Sequence, residues 1–246
     1  MITSIAARAA EEAARLRGAR ALHPAGRSYE ATLRVTGTPD LPAPAGPLAE
    51  PGAHPAITRL SKGAGLPAGL PDALGIALRV PAGDAVVDLL FTTAGTLPGA
   101  RHAPVPRASF LSGAYTTLLP YRVGGEVRML GIFPHRHRDL PVRIDALDAA
   151  VTAEPAEFVL ASASLTGAWR PFARLSVHTP LAADDPRATA FDPVLNDLPG
   201  LRLTGPLVTL RRRAYAASRR GRGAPAPHGG AVTGTAAGPA PSRPGR

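Results

Sequence analysis

The run Arg20-Ala-Leu-His23-Pro-Ala-Gly26-Arg-Ser-Tyr-Glu-Ala-Thr-Leu-Arg-Val35 decides the fold. From Ser28 to Val35 polar and apolar side chains alternate without a break. Tyr29, Ala31, Leu33 and Val35 fall on one side, with Ser28, Glu30, Thr32 and Arg34 on the other. That period of two predicts a strand over residues 28–36 with one buried face. Just before it stand an arginine and, three positions on, a histidine; Pro24 and Gly26 then turn the chain. Taken alone, a histidine at the mouth of a strand is more often a satisfied structural residue than a catalyst.

Working outward, apolar runs at 74–80 and 85–92 flank Pro81-Ala-Gly83-Asp84, a hairpin-type turn. Further strands are expected at 56–61, 125–133, 142–151, 157–164 and 169–178. Residues 37–55 and 63–71 are Pro/Gly-rich loops, and the spacing in the second fits no phosphate-binding fingerprint. A helix is expected at 3–17, where Ile5, Ala9, Ala13 and Leu16 share a face and Gly18 ends it. Others are expected at 107–118, carrying Phe110, Leu111 and Tyr115, and at 207–218, with Pro206 suited to its first turn. Short strands in succession, with helices at the ends and in one insertion, predict an α+β fold: an antiparallel β-barrel with flanking helices. Residues 221–246 lack apolar periodicity and read as a disordered Gly/Pro/Arg-rich tail, which leaves 1–220 as one domain.

Composition narrows the function classes. The chain has 246 residues and no cysteine, which rules out disulfides, thiolate ligation and thiol chemistry. No apolar run approaches the length of a membrane span, and the N-terminus lacks the order of a signal peptide, so a cytoplasmic protein is expected. The net charge of +10 invites a nucleic-acid reading. Yet residues 1–197 carry 19 basic and 18 acidic side chains, and nine arginines with no acid follow Asp197. The excess is a property of the C-terminus, which argues against nucleic acid as the partner of the fold. His102, and His135 with His137, lie in polar loops without further metal ligands at useful spacing, and are read as solvated.

Several short motifs, in order, carry a resemblance. Arg20-x-x-His23-x-x-Gly26 is followed by Arg59-Leu60-Ser61, then Gly75-Ile-Ala-Leu-Arg79-Val, then Asp88-Leu-Leu-Phe. This resembles the haem-binding core of the catalase superfamily. There an Arg-x-x-His-x-x-Gly run enters the first barrel strand and Arg-Phe-Ser, Gly-Phe-Ala-x-(Arg/Lys)-Phe and Asp-Leu-x-Gly-Asn-Asn strands follow. Ala190-Phe191-Asp192-Pro193 and Pro199-Gly200-Leu201 are similar to the family's approach to its proximal helix, and Arg211 and Tyr215 reproduce the Arg-to-Tyr spacing on that helix.

The resemblance implies a haem b cofactor with Tyr215 as the iron ligand. A tyrosine titrates near ~10 unless a cation favours the phenolate, and Arg211, one turn earlier, would be that cation. His23 would serve as general base, with Ser61 orienting its imidazole. Arg20 and Arg59 would pair with the haem carboxylates. Thr92 stands where the family has its distal asparagine, and Arg213 and Ala217 replace the proximal phenylalanine and aspartate. The expectation is a small catalase-like haem protein, a weak peroxidase acting on hydrogen peroxide or an organic hydroperoxide, with a homo-oligomer left open. The alternatives are a barrel that keeps the fold without catalysis, as carrier, sensor or interaction module, and a binder of anionic polymers through the basic C-terminus.

Overall fold

A computed structural model of the chain describes residues 25–63, 66–67, 69–188, 190–205 and 208. Ten strands run through it: β1 (Ala25–Val35), β2 (Gly52–Lys62), β3 (Leu74–Ala82), β4 (Ala85–Thr93), β5 (Tyr115–Thr116), β6 (Tyr121–Val123), β7 (Glu126–Pro134), β8 (Ala156–Ala163), β9 (Arg170–Pro180) and β10 (Leu201–Leu203). Every pairing is antiparallel. The order β7-β5-β4-β3-β2-β1-β9-β8 closes on itself because β8 also pairs with β7. The result is an eight-stranded barrel, with β6 and β10 forming a short flap on the first half of β7.

The alternation in β1 explains why the sheet closes. Tyr29, Leu33 and Val35 are buried in the hydrophobic core, together with Ile76, Leu78 and Val80 of β3 and Val87, Leu89 and Phe91 of β4. Burying each such side chain contributes about 1.5–3 kcal/mol, and closure leaves no barrel strand with an open edge along its full length. The β3–β4 hairpin pairs Ala82 with Ala85, and Gly83 in the turn has φ +62°, which favours glycine.

The α+β expectation is corrected: the described residues are β-rich, an antiparallel barrel with few helices. The α-helix α1 (Leu147–Ala153) is seven residues packed on β9, Val208 is also helical, and short 3-10 turns occur besides. The helix expected at 107–118 is a loop ending in β5. Phe110, Leu111 and Tyr115 are indeed buried, but they reach the core from irregular backbone held by bonds such as Phe110 N–H to Leu140 O. The strand expected at 142–151 is instead a 3-10 turn and α1, whose Leu147 and Val151, one helical turn apart, are its two buried residues. The expected helices at 3–17 and 207–218 and the tail lie outside the described residues, apart from Val208. No helix among the described residues is long and apolar enough to cross a membrane.

Candidate functional site

The outer wall of the barrel carries a row of small residues. Gly26 of β1 lies opposite Ser61 of β2, Ser61 opposite Gly75 of β3, Gly75 opposite Thr92 of β4, and Thr92 opposite Thr116 of β5. Cross-strand partners share a face, so Ser61 and Thr92 flank Gly75 on one surface, about 10 Å apart as two strand spacings. None of these side chains extends beyond a hydroxyl and a methyl, and the floor is flat. Gly26 is required there: a Cβ would come within 2.5 Å of Leu60 O and 2.7 Å of Ser61 Cβ.

Two further rows follow along the strands. Ser28, Arg59, Ala77 and Leu90 form the second, and Glu30, Ile57, Arg79 and Asp88 the third. Half-buried Arg59 turns back along the wall and donates from Nη1 to Gly26 O at 3.1 Å, which brings its guanidinium alongside the first row. Buried Ser61 donates from Oγ to Gly75 O at 3.3 Å. Its proton is committed to the sheet, so what it can offer an imidazole is an oxygen acceptor.

The structure therefore brings together three of the residues the sequence singled out: Ser61, Thr92 and Arg59. Arg20, His23, Arg211 and Tyr215 lie outside the described residues. Two of the other tyrosines, Tyr29 and Tyr115, are poor candidates for a phenolate. Burial, then a hydrogen bond to Asp148, pushes Tyr29 far up, and burial pushes Tyr115 well above its ordinary value.

Sequence reasoning missed two constellations. The first covers the far end of the wall, where Gly131 of β7 follows Thr116 in register. The Trp169 ring lies over Gly131, where a Cβ would meet it at 2.9 Å. Arg101 stacks on that ring at 4.6 Å. It is 1% exposed and donates to the carbonyls of Thr96 and Ser164 at 3.0 Å and of Gly167 at 3.2 Å. Burial lowers its pKa, yet a guanidinium stays charged. Arg101 thus clips the β4–β5 connection to the β8–β9 loop. No carboxylate lies within ion-pair distance of it among the described residues.

The second is on the third row. Asp88, fully buried, accepts from Arg79 Nε and Nη2 at 2.8 Å each, from Asp192 N–H at 2.8 Å and from Asn196 Nδ2 at 2.7 Å. Its own N–H donates to Asn196 O at 2.9 Å. Arg79 also donates to Ala190 O at 3.0 Å and sits 4.7 Å over the Phe191 ring. The Ala190–Asn196 turn is folded by Asp192, whose Oδ1 accepts from Val194 and Leu195 N–H. The signal was legible: Arg79 and Asp88 are opposite charges equidistant from the Gly83-Asp84 turn, so a two-residue hairpin must place them opposite each other.

The histidine-rich loop stays apart from this wall. His135 Nε2 accepts from Arg174 Nη1 at 2.7 Å and His137 Nδ1 contacts Leu111 O at 3.1 Å. A cleft of about 320 Å³ beside them includes Arg136, Arg138 and Glu154, of which Arg138 and Glu154 pair with each other. No group of three potential metal ligands occurs among the described residues, and His102 bonds to Leu118 O at 2.7 Å.

No family model matches the chain, and no curated protein matches it in sequence. Solved structures do match in fold. Catalase A from Saccharomyces cerevisiae superposes with TM-score 0.61 at 11% identity, over 83% of this chain and 60% of that one. A fungal catalase gives 0.62 at 11%, over 82% and 59%. A bacterial catalase gives 0.59 at 13%, over 83% and 57%. The chain thus has a catalase-like barrel fold and spans about 60% of the length of these proteins.

Proposed function

We propose that the chain binds haem b against the first row of the outer wall and acts as a weak peroxidase on hydrogen peroxide or an organic hydroperoxide. One observation carries the reading. The two pocket residues picked out by short motifs 31 positions apart, Ser61 and Thr92, fall in one register row on either side of Gly75. A floor without protruding side chains fits a flat macrocycle, and the requirement for glycine at position 26 keeps it flat.

Bound haem would supply the redox chemistry, since a cysteine-free chain has no thiol to react with peroxide. In this reading Tyr215 would hold the iron, and Arg211 would favour its phenolate. His23 would take a proton from peroxide and return it to the leaving oxygen, and Ser61 Oγ would accept from its ring. Arg59, alongside the row, and Arg20 would pair with the haem carboxylates. Thr92 offers a hydroxyl where an amide would reach further. That shorter reach favours a second reading, a haem carrier or sensor without turnover.

The test is a titration with hemin. One equivalent per chain with a high-spin ferric tyrosinate spectrum is expected, and Tyr215→Phe should abolish that spectrum. A histidine-type spectrum that survives Tyr215→Phe overturns the ligand assignment. Failure of the wild type to take up hemin overturns the proposal.

A further inference from the structure

We infer that Asp88 is a positioning residue: it seats the segment from Ala190 to Gly205 on the outer wall and so governs whether the chain beyond Gly205 can serve the site. The inference deepens the haem-site reading for its second half, while the seating itself stands on the geometry alone.

Asp88 has the wrong neighbours for an ordinary hairpin ion pair. A cross-strand Arg–Asp pair on the outside of a barrel needs only one another and solvent. Here the carboxylate is fully buried, and of its four accepted bonds only two come from Arg79. The other two come from Asp192 N–H and Asn196 Nδ2, more than 100 positions away. Its backbone N–H and both Arg79 contacts to Ala190 and Phe191 point to the same segment. A buried charge needs its hydrogen bonds filled, so the pair and the segment hold each other: neither is satisfied when the segment lifts off.

From that anchor the chain follows a fixed course. Gly200 passes under Pro44 so closely that a Cβ would lie 2.0 Å from Pro44 O, and its carbonyl accepts from Gly124 N–H at 3.0 Å. β10 pairs with β6, and Thr204 N–H donates to Pro120 O at 2.9 Å. Pro120 lies four positions beyond Thr116 of the first row. Asp88 itself lies four positions before Thr92, on the same face of β4. The segment is therefore tied to the third row through Arg79 and Asp88, and its exit lies beside the strand that ends the first row. A ligand borne on the exiting chain reaches the row only while the segment is seated. If it is seated for a fraction of the time, apparent affinity falls by that fraction.

The experiment compares the wild type with two variants. Asn196→Ala removes one bond to Asp88 and leaves the Arg79 pair intact. Arg79→Met combined with Asp88→Leu replaces the whole pair by apolar groups, which keeps the barrel free of an unpaired buried charge. Amide hydrogen exchange is read separately for 190–205 and for β2–β4, and hemin affinity is measured by titration. Protection of 190–205 should fall roughly tenfold or more in the double variant and less in Asn196→Ala, with β2–β4 unchanged. Hemin affinity should fall in the same order, and the tyrosinate spectrum should weaken, which loss of general stability alone would not produce. Unchanged protection of 190–205 in the double variant overturns the seating. Lost protection with unchanged hemin affinity overturns the positioning role. If the wild type takes no hemin, the haem reading fails and the positioning role with it, while the exchange data still decide the seating.

Discussion

Arg27 of β1 and Asp148 of α1 are 121 positions apart and meet side-on, with Arg27 Nε 2.9 Å from both carboxylate oxygens. Tyr29 Oη adds a third donor at 3.0 Å, and Arg27 Nη2 also reaches Leu181 O at 3.2 Å. The cluster fixes the beginning of β1, where the chain arrives from His23, against α1.

The hydrogen bond from Arg27 holds the Asp148 carboxyl below its ordinary value. A carboxyl depressed in the folded state stabilises above its unfolded value, near ~3.9, and that stabilisation drains away as pH falls through the folded value. Asp148→Asn should cost about 1 kcal/mol at neutral pH, the pair being partly exposed. The gap in melting temperature between wild type and variant should then narrow below about pH 4. A gap that stays constant down to pH 2 would mean that the carboxylate charge plays no part.

Gly26→Ala puts a methyl against Leu60 O and Ser61 Cβ, neither of which can swing aside. A destabilisation of roughly 1–3 kcal/mol is expected from forced separation of β1 and β2, measured by denaturant unfolding. Hemin affinity should drop as well, because the row loses its flat end. An alanine variant as stable as wild type would show that the strands have room to part.

His23→Ala should leave hemin bound and lower peroxide consumption by ~10²-fold or more, the scale for losing a positioned acid–base group. Thr92→Asn should raise activity, since an amide reaches further over the row than a hydroxyl. With haem occupancy matched, loss in the first and gain in the second supports the peroxidase reading. No change in either, in a protein that holds haem, leaves a carrier or sensor.

Deletion of residues 223–246 should leave the melting temperature and the hemin stoichiometry unchanged, because that stretch offers no apolar face to dock. A drop of several degrees, corresponding to roughly 1 kcal/mol or more for a domain of this size, would show that it packs on the barrel.

The barrel was legible where pattern and packing agree. β1 alternates because one face is core and the other wall, and the hairpin at Gly83 fixes the register that sets Thr92 opposite Gly75. The helix at 107–118 was misread because Phe110, Leu111 and Tyr115 mimic helical spacing while filling the core from a loop. Residues 142–151 were misread for the opposite reason. Val142 and Ile144 alternate like a strand, whereas the buried pair Leu147 and Val151 follows the helical repeat. Arg101 was invisible in sequence. Its partners are three backbone carbonyls and one ring, and carbonyls carry no residue signature. Asp88 was legible as part of a motif, and its bonds to a segment more than 100 positions away emerge only from the folded chain.

Trp169 is the only tryptophan in the chain. Its indole is held over Gly131 by Arg101 and by its own Nε1 bond to Thr96 O at 3.0 Å, at the end of the wall that begins with Gly26. The molecule therefore carries a built-in fluorophore beside its candidate site. Energy transfer to any strongly absorbing group placed on the row would quench a single, assignable emission, so occupancy could be followed in dilute solution without a label.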